Sequence, residues 1–374
     1  MKVLITGGAG FIGSSLAREL VQSGATVTVV DCLSPQIHGD NPETSQLFLS
    51  LPPSVKVIRS DVRSREIMSE ALKGQDVVVH LAAETGTGQS MYEIDRYVDV
   101  NIRGTSILLD ILEKERPGVK RVVVASSRAI YGEGRYQGKS GTVYPVARTA
   151  ADMEKGIFDC RCPDTGEIVT SISTDETSKI HPTSIYGITK QVQEQLVLTA
   201  CESMGIGAVS LRYQNVYGPG QSLKNPYTGI LSIFSTLLLQ GRDVNIFEDG
   251  EESRDFVYID DVVSATVKAI NSDVTGECYN VGSGVRTTVM TVAKTLKELY
   301  GAPGDIKVSG NYRVGDIRHN TADLSKVSKD LAFHPSVTFV EGVTKFAEWV
   351  KSQHLEVSTY DKSIQEMRDR GMFK

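Results

Sequence analysis

The chain opens on Lys2-Val-Leu-Ile-Thr-Gly-Gly-Ala-Gly-Phe-Ile-Gly13, an apolar run that leads into glycines at positions 7, 10 and 13. A helical stretch follows, and a second apolar run then ends on Asp31. The first glycine lets a strand turn sharply, the second lets the backbone approach a pyrophosphate, and the third lets the next helix pack closely. This order of parts predicts a strand, a helix and a second strand, with the helix N-terminus facing phosphate groups.

Asp31 indicates which dinucleotide is bound. A carboxylate at the end of the second strand can accept hydrogen bonds from both ribose hydroxyls of adenosine, and it repels a 2′-phosphate. We therefore predict NAD rather than NADP as the cofactor. The alternative is an aspartate that only ends a strand in a solvated turn.

The composition limits the possible partners. The chain has 374 residues, 40% of them hydrophobic, and a net charge of −6. With no block of basic residues, we expect neither a nucleic-acid nor a membrane partner. No apolar run has transmembrane length, which predicts a cytoplasmic protein.

The cysteines do not resemble a disulfide framework, because they are five in number and scattered. Cys160 and Cys162 could belong to a metal site, with His181 as a further ligand. Zinc normally takes four ligands, however, and no second cysteine pair follows. We therefore expect no metal.

Apolar strands alternate with helical patterns through the first half of the chain, at residues 2–6, 26–31, 55–59, 76–81 and 120–127. Such alternation is typical of an α/β protein with a Rossmann-type, doubly wound parallel sheet.

The domain organisation follows from where this rhythm changes. We predict a Rossmann domain over residues 1–215 that contains an insertion at about 133–181. A smaller α/β lobe, interleaved with the first domain, should span residues 216–354. The polar residues 355–374 are expected to form a loosely attached tail.

A tyrosine and a lysine are candidates for proton transfer. Tyr186 and Lys190 lie four residues apart, which places them on one face of a helix. A nearby ammonium group and an oxidised nicotinamide would lower the pKa of the phenol and make it a general base. Ser127 ends a predicted strand at the sheet edge where such folds bind ligands, so its hydroxyl could contact the reacting oxygen. Without that context, the simpler interpretation of Tyr186 and Lys190 is a packing tyrosine and a solvated lysine.

Five ordered motifs resemble the extended short-chain dehydrogenase/reductase family, whose members act on nucleotide sugars. The resemblance covers about residues 1–350, and its motifs are Thr6-Gly-Gly-Ala-Gly-Phe-Ile-Gly13, His80-Leu-Ala-Ala83, Ser127 with Tyr131-Gly132, Tyr186-Gly-Ile-Thr-Lys190 and Asn215-Val-Tyr-Gly-Pro219. It implies catalytic roles for Ser127, Tyr186 and Lys190, a C-terminal lobe that binds a nucleotide sugar, and a homodimer.

The resemblance also implies two sets of binding residues. The NAD site would contain Gly7, Gly10, Phe11, Ile12, Gly13, Asp31, Asp61, Val62, Leu81, Ala82, Ala83, Asn101, Ala125 and Lys190. The substrate site would contain Asn215, Tyr227, Arg254 and Arg318. We add Thr87, Gln89 and Arg128 as candidate contacts to the hexose, with roles in surface loops as the alternative. Arginine suits the diphosphate because its planar fork forms paired hydrogen bonds with phosphate oxygens, although a surface ion pair is the simpler role for each arginine.

The family pattern also bears on the reaction. In related 4,6-dehydratases an Asp-Glu pair follows the hydroxyl residue, whereas this chain has Arg128 and Ala129, which argues against dehydration. Because Asp31 disfavours the NADPH of reductases, we expect a 4-epimerase. The alternatives are a reductase of 4-keto sugars and a non-catalytic NAD-binding regulator.

Three further features resemble a subgroup that interconverts dTDP-L-rhamnose and dTDP-6-deoxy-L-talose. They are Leu33-Ser-Pro-Gln-Ile-His-Gly39, Glu84-Thr-Gly-Thr-Gly-Gln-Ser90, and the long insertion before Tyr186 together with Asn225-Pro-Tyr-Thr-Gly229. A UDP-hexose remains an alternative substrate, because the insertion leaves the sugar end of the site undefined.

Overall fold

A computed structural model describes residues 1–223, 229–353 and 360–374. The strands are β1 Lys2–Thr6, β2 Thr26–Asp31, β3 Lys56–Arg59, β4 Val77–His80, β5 Arg121–Ser127, β6 Tyr136–Gly138, β7 Gly141–Val143, β8 Thr170–Ser171, β9 Gly207–Tyr213, β10 Asn215–Tyr217, β11 Val244–Ile246, β12 Ser253–Tyr258, β13 Glu277–Val281, β14 Arg286–Thr288 and β15 Ile306–Val308. The α-helices are α1 Phe11–Gln22, α2 Pro35–His38, α3 Gln46–Leu49, α4 Arg65–Leu72, α5 Thr87–Ser90, α6 Ile94–Tyr97, α7 Gly104–Glu115, α8 Ala150–Met153, α9 Ile185–Met204, α10 Ile230–Leu239, α11 Ile259–Asn271, α12 Val289–Tyr300, α13 Ser325–Leu331, α14 Phe339–Lys351 and α15 Tyr360–Asp369. A π-helical segment, Val98–Arg103, joins α6 to α7, and 3-10 turns cover Pro42–Thr44 and Arg128–Tyr131.

The predicted doubly wound sheet is confirmed. Within the described residues, seven strands pair in the order β13-β9-β5-β4-β1-β2-β3, and every pairing is parallel. The order of the strands reverses between β1 and β4, and a sheet of this kind binds ligands at such a point, beyond the carboxyl ends of its strands. All five strands predicted in the first half of the chain are present.

The second lobe returns a strand to the main sheet. Strand β13 lies beyond residue 216, yet it pairs with β9 at the edge of the Rossmann sheet. The rest of this lobe includes the small sheets β10-β12-β14 and β11-β15.

The segment 133–181 carries its own small structure. Strands β6, β7 and β8 pair as an antiparallel sheet. The side chains of Tyr136, Cys160, Cys162 and Val169 form a separate buried cluster, in which the Cys160 thiol donates a hydrogen bond to the Tyr136 hydroxyl at 3.3 Å.

The prediction of a loosely attached C-terminal tail is wrong for residues 360–374. Helix α15 buries Ile364 and Met367, and Phe373 joins the same apolar cluster. The backbones of Tyr312 and Lys374 exchange two hydrogen bonds, at 2.9 and 3.1 Å. The polar composition concealed an amphipathic helix.

In the part of the chain that the structure describes, no helix combines the length and the apolar character that crossing a membrane requires.

Candidate functional site

The glycine-rich turn between β1 and α1 has the geometry that the sequence predicts. Gly7 has a φ of +69°, and a Cβ atom on it would lie 2.8 Å from the backbone nitrogen of Ala82. A Cβ atom on Gly13 would lie 2.4 Å from the carbonyl oxygen of Gly7. Both distances are shorter than real contacts, so only glycine permits this turn and this packing of α1.

Asp31 fastens the same turn. Its carboxylate accepts hydrogen bonds from the backbone N–H of Ala9, at 2.9 Å, and of Leu33, at 2.8 Å. The residue also lines the cavity above the sheet. Asp31 is therefore a structural anchor of the glycine turn as well as a candidate ribose ligand.

A cavity of about 350 Å³ lies over the carboxyl ends of the central strands. Its lining contains most of the predicted cofactor residues, namely Gly7, Gly10, Phe11, Ile12, Gly13, Asp31, Asp61, Val62, Leu81, Ala82, Ala83, Ala125 and Lys190. A dinucleotide fits this donor set, because a steric cradle of glycines at a helix N-terminus is joined to an acidic residue at the ribose position.

Among the described residues, Asn101 is a predicted cofactor contact that the structure does not bring to this cavity. Its side chain is fully buried, accepts from the N–H of Glu84 at 2.7 Å and donates to the hydroxyl of Thr189 at 2.9 Å. The neighbouring Val100 lines the cavity instead. Asn101 therefore holds the segment after β4 in place through these hydrogen bonds, and its direct contact with NAD stays a prediction.

The three predicted catalytic residues converge at one end of this cavity. Ser127 ends β5, Tyr186 lies in the first turn of α9, and Lys190 follows one turn later. The Ser184 hydroxyl caps α9 by accepting from the N–H of Gly187 at 3.1 Å, and this fixes where the helix begins. Ser127 and Tyr186 also line a second cavity beside the first.

Arg128 adds a positive charge near the tyrosine that the sequence analysis did not consider. Burial raises the pKa of Tyr186, whereas a hydrogen bond with Ser127 and the positive charge of Arg128 oppose that rise. Burial also lowers the pKa of Lys190 to about 7, and its ammonium group donates to the carbonyl oxygen of Ala125 at 3.0 Å. Arg128 is therefore a positive charge that favours the phenolate of Tyr186, and the catalytic role of Lys190 stays a prediction.

The second cavity, of about 230 Å³, receives three predicted substrate residues: Thr87, Arg128 and Asn215. Arg128 donates from Nε to the side-chain oxygen of Asn215 at 3.0 Å. Burial and the neighbouring charge of Arg254 lower the pKa of Arg128 to about 10. A donor-rich, positively charged wall therefore lies next to Ser127 and Tyr186.

Gln89, another predicted substrate residue, does not line the second cavity. Gln89 is buried, and its side-chain oxygen accepts from Gln36 at 3.1 Å and from the Tyr97 hydroxyl at 3.2 Å. It supports the segment that carries Thr87, so the predicted contact with the hexose is not what the structure indicates. Tyr227 lies outside the described residues.

The two predicted phosphate arginines have different surroundings. Arg254 is buried and pairs with Asp316 at 3.2 Å, close to Arg128. Arg318 is fully engaged elsewhere, with Glu248 at 2.9 Å and Asp249 at 2.7 Å. The prediction that Arg318 grips phosphate is therefore wrong, because its guanidinium already neutralises carboxylates.

Sequence reasoning missed Arg313. Burial would raise the pKa of Asp316, but the charges of Arg254, Arg313 and Arg128 lower it below its usual range. The Nε of Arg313 is buried with no hydrogen-bond partner among the described residues, and its guanidinium lies 5.0 Å from the centre of the Phe247 ring. The sequence could have indicated Arg313, because it lies in the same short segment as Arg318, just before Gly315-Asp316. Only Arg318 was chosen from that segment.

Comparisons with known proteins agree with this geometry. A profile of the NAD dependent epimerase/dehydratase family matches residues 3–153 and 159–282. A dTDP-L-rhamnose 4-epimerase from Burkholderia thailandensis is 36% identical over 94% of this chain and 95% of its own length.

Solved structures give the same result. The UDP-glucose 4-epimerase of Thermotoga maritima with UDP-glucose is 32% identical and superposes with a TM-score of 0.76, covering 94% of this chain and 99% of that one. The UDP-glucuronic acid 4-epimerase of Bacillus cereus, in complex with UDP-glucuronic acid and NAD, has a TM-score of 0.78 at 27% identity, covering 95% and 100%.

Proposed function

The chain belongs to the NAD-dependent epimerase/dehydratase family, its cofactor is NAD, and we propose that it is a nucleotide-sugar 4-epimerase acting on dTDP-L-rhamnose. One observation carries the proposal: Ser127 and Tyr186 lie in the wall shared by the cofactor cavity and the second cavity. A sugar in the second cavity would present one carbon to both residues. The 36% identity with a dTDP-L-rhamnose 4-epimerase supports the choice of substrate.

The chemistry divides between the protein and the cofactor. Bound NAD supplies reversible hydride exchange at C4 of the sugar. Tyr186 accepts the proton of the C4 hydroxyl, and Ser127, which is hydrogen-bonded to Tyr186, holds the same oxygen. The charge of Arg128 stabilises the phenolate in its buried position. The same residues return the proton when the alcohol re-forms with the opposite configuration.

The surroundings of Tyr186 favour epimerisation over elimination. Dehydration needs a second acid and base next to the reacting carbon, but Arg128 and Ala129 occupy those positions in the second cavity. Asp31 in the cofactor cavity disfavours a reductase that draws on NADPH.

The diphosphate has a matching set of donors. Asn215 lines the second cavity, and Arg254 and Arg313 lie around Asp316 close by. We assign these three residues to the diphosphate, since guanidinium groups form charge-assisted hydrogen bonds with phosphate oxygens.

We also propose a homodimer. The helical segment from α6 to α7 and helix α9 expose the apolar side chains of Ile94, Val98 and Ile188. Light scattering should give twice the mass of the chain, and Val98→Asp together with Ile188→Asp should give the mass of one chain. The cytoplasmic location stays a prediction.

The test is direct. The purified protein is incubated with dTDP-L-rhamnose, with and without added NAD, and NMR follows the C4 epimer. UDP-glucose and UDP-glucuronic acid are parallel substrates, and absorbance at the reduced-nicotinamide band detects net consumption of NADH or NADPH. An epimer formed without net cofactor consumption supports the proposal. Stoichiometric consumption would make the protein a reductase, and turnover of a UDP-sugar alone would overturn the choice of substrate.

A further inference from the structure

Gln214 is a buried amide without a partner. It lies between strands β9 and β10 and is 5% exposed. Neither its side-chain nitrogen nor its side-chain oxygen has a hydrogen-bond partner among the described residues. Buried polar groups are nearly always paired, and leaving one unpaired destabilises the fold.

The neighbours of Gln214 along the chain are all paired. Arg212 binds the carboxylate of Glu194 at 2.6 Å, and the Tyr213 hydroxyl bonds to Thr266 at 2.8 Å. Asn215 accepts from Arg128. The amide of Gln214 is therefore exceptional in an otherwise satisfied segment.

The local structure makes room for this side chain. The N–H of Gln214 donates to the carbonyl oxygen of Val281 at 2.9 Å, which fixes its backbone to the end of β13. A Cβ atom on the adjacent Gly282 would lie 2.8 Å from Cγ of Gln214. A larger residue at position 282 would displace the glutamine.

The position of Gln214 indicates where its partner comes from. Six residues line both cavities: Thr85, Ser127, Tyr186, Gln214, Val216 and Gln221. Gln214 thus shares a wall with the two residues to which we assign the proton transfer. Its amide offers two donors and one acceptor, and hydroxyl groups, which both donate and accept, are matched to such a set.

We propose that Gln214 is a specificity-determining residue that hydrogen-bonds hydroxyl groups of the hexose next to the reacting carbon. This inference rests on the proposed function, because it requires a sugar in the second cavity. The side chain of Arg128 contributes only donors to that cavity. The oxygen of Gln214 adds an acceptor, so the site can recognise a hydroxyl proton as well as a hydroxyl oxygen.

The experiment pairs activity with stability. Gln214→Met keeps the length of the side chain and removes its hydrogen bonds. We expect kcat/KM for dTDP-L-rhamnose to fall at least about tenfold, with the affinity for NAD unchanged. We also expect the Tm without nucleotide sugar to rise by about 2 °C, because an unpaired buried amide is gone.

The matched control is Gln193→Met. Gln193 is fully buried and lies outside both cavity linings. Its side-chain nitrogen donates to the Thr105 hydroxyl at 2.8 Å, and its side-chain oxygen has no partner among the described residues. This substitution should lower the Tm, because it removes a buried hydrogen bond within the fold.

Several results would overturn the inference. A Gln214→Met protein with unchanged kcat/KM would mean that the amide does not bind the sugar, and a lowered Tm would mean that it has a partner within the fold. Weaker NAD binding by this variant would mean that the Gln214 amide hydrogen-bonds the carboxamide of the nicotinamide instead of the sugar. If the wild-type protein does not turn over dTDP-L-rhamnose, the choice of substrate fails by itself, and Gln214→Met is then measured on the nucleotide sugar that the wild type does convert.

Discussion

The cofactor cavity and the second cavity are built in different ways. The first rests on the ends of adjacent parallel strands, where steric rules act between near neighbours such as Gly7 and Gly13. The second depends on pairs far apart in the chain, such as Arg128 with Asn215 and Arg254 with Asp316. Backbone geometry thus determines the cofactor half, and long-range pairing between polar side chains determines the substrate half.

This difference has a functional consequence. In the cofactor half, a Cβ atom added to Gly7 or Gly13 would clash with the backbone, so few substitutions are tolerated there. Side chains that only need to complement one another can be exchanged with less disturbance of the fold. We therefore expect substrate preference to change more readily than cofactor use within this architecture, and substitutions on either side of the shared wall test that expectation.

The largest effect is expected for Tyr186→Phe, in the wall between the two halves. Loss of the phenolic oxygen removes the proton acceptor, and turnover should fall about a thousandfold. NAD affinity, measured by calorimetry, should stay close to that of the wild type. Tyr279→Phe is the matched control, because its hydroxyl bonds to Asp330 at 3.2 Å and it lines neither cavity. Equal losses in the two variants would remove Tyr186 from the mechanism.

The same contrast explains what the sequence could predict. The strands, the glycine turn and the convergence of Ser127 with Tyr186 follow from local patterns and from the rule that parallel strands end at one edge. Arg318 was misassigned because a linear sequence does not reveal that Glu248 and Asp249 neutralise it. Asn101 and Gln89 were predicted as direct contacts, but both form hydrogen bonds within the fold, with partners that a linear sequence does not reveal.

A smaller effect is expected for Arg128→Met, on the substrate side of the wall. Arg128 lowers the pKa of Tyr186, so its removal should raise that pKa and move the rising limb of the pH–rate profile to higher pH. A shift of one unit corresponds to a loss of about tenfold in turnover at neutral pH, recovered in alkaline buffer.

Arg121→Met is the control for this shift. Arg121 begins β5, the strand that ends just before Arg128, and its guanidinium donates to the carbonyl oxygen of Val274 at 2.9 Å, away from both cavities. Its pH–rate profile should match that of the wild type. If Arg128→Met lowers the rate equally at every pH, then Arg128 acts through substrate binding alone and does not lower the pKa of Tyr186.

The smallest effect is expected for Glu252→Gln, in the charge cluster of the second lobe. Burial, and then repulsion from Glu248, raise the pKa of Glu252 to about 7. The folded protein therefore holds a proton that the unfolded chain releases near pH ~4.3, so stability falls as pH rises between these values and is level above them. Glutamine removes this dependence and should stabilise the fold by about 1 kcal/mol at pH 8, with little effect at pH 4. Urea unfolding at both pH values measures the difference, and the exposed Glu251→Gln is the control. An equal gain in the free energy of unfolding at both pH values would show that Glu252→Gln stabilises this lobe through better packing and not by removing a buried charge.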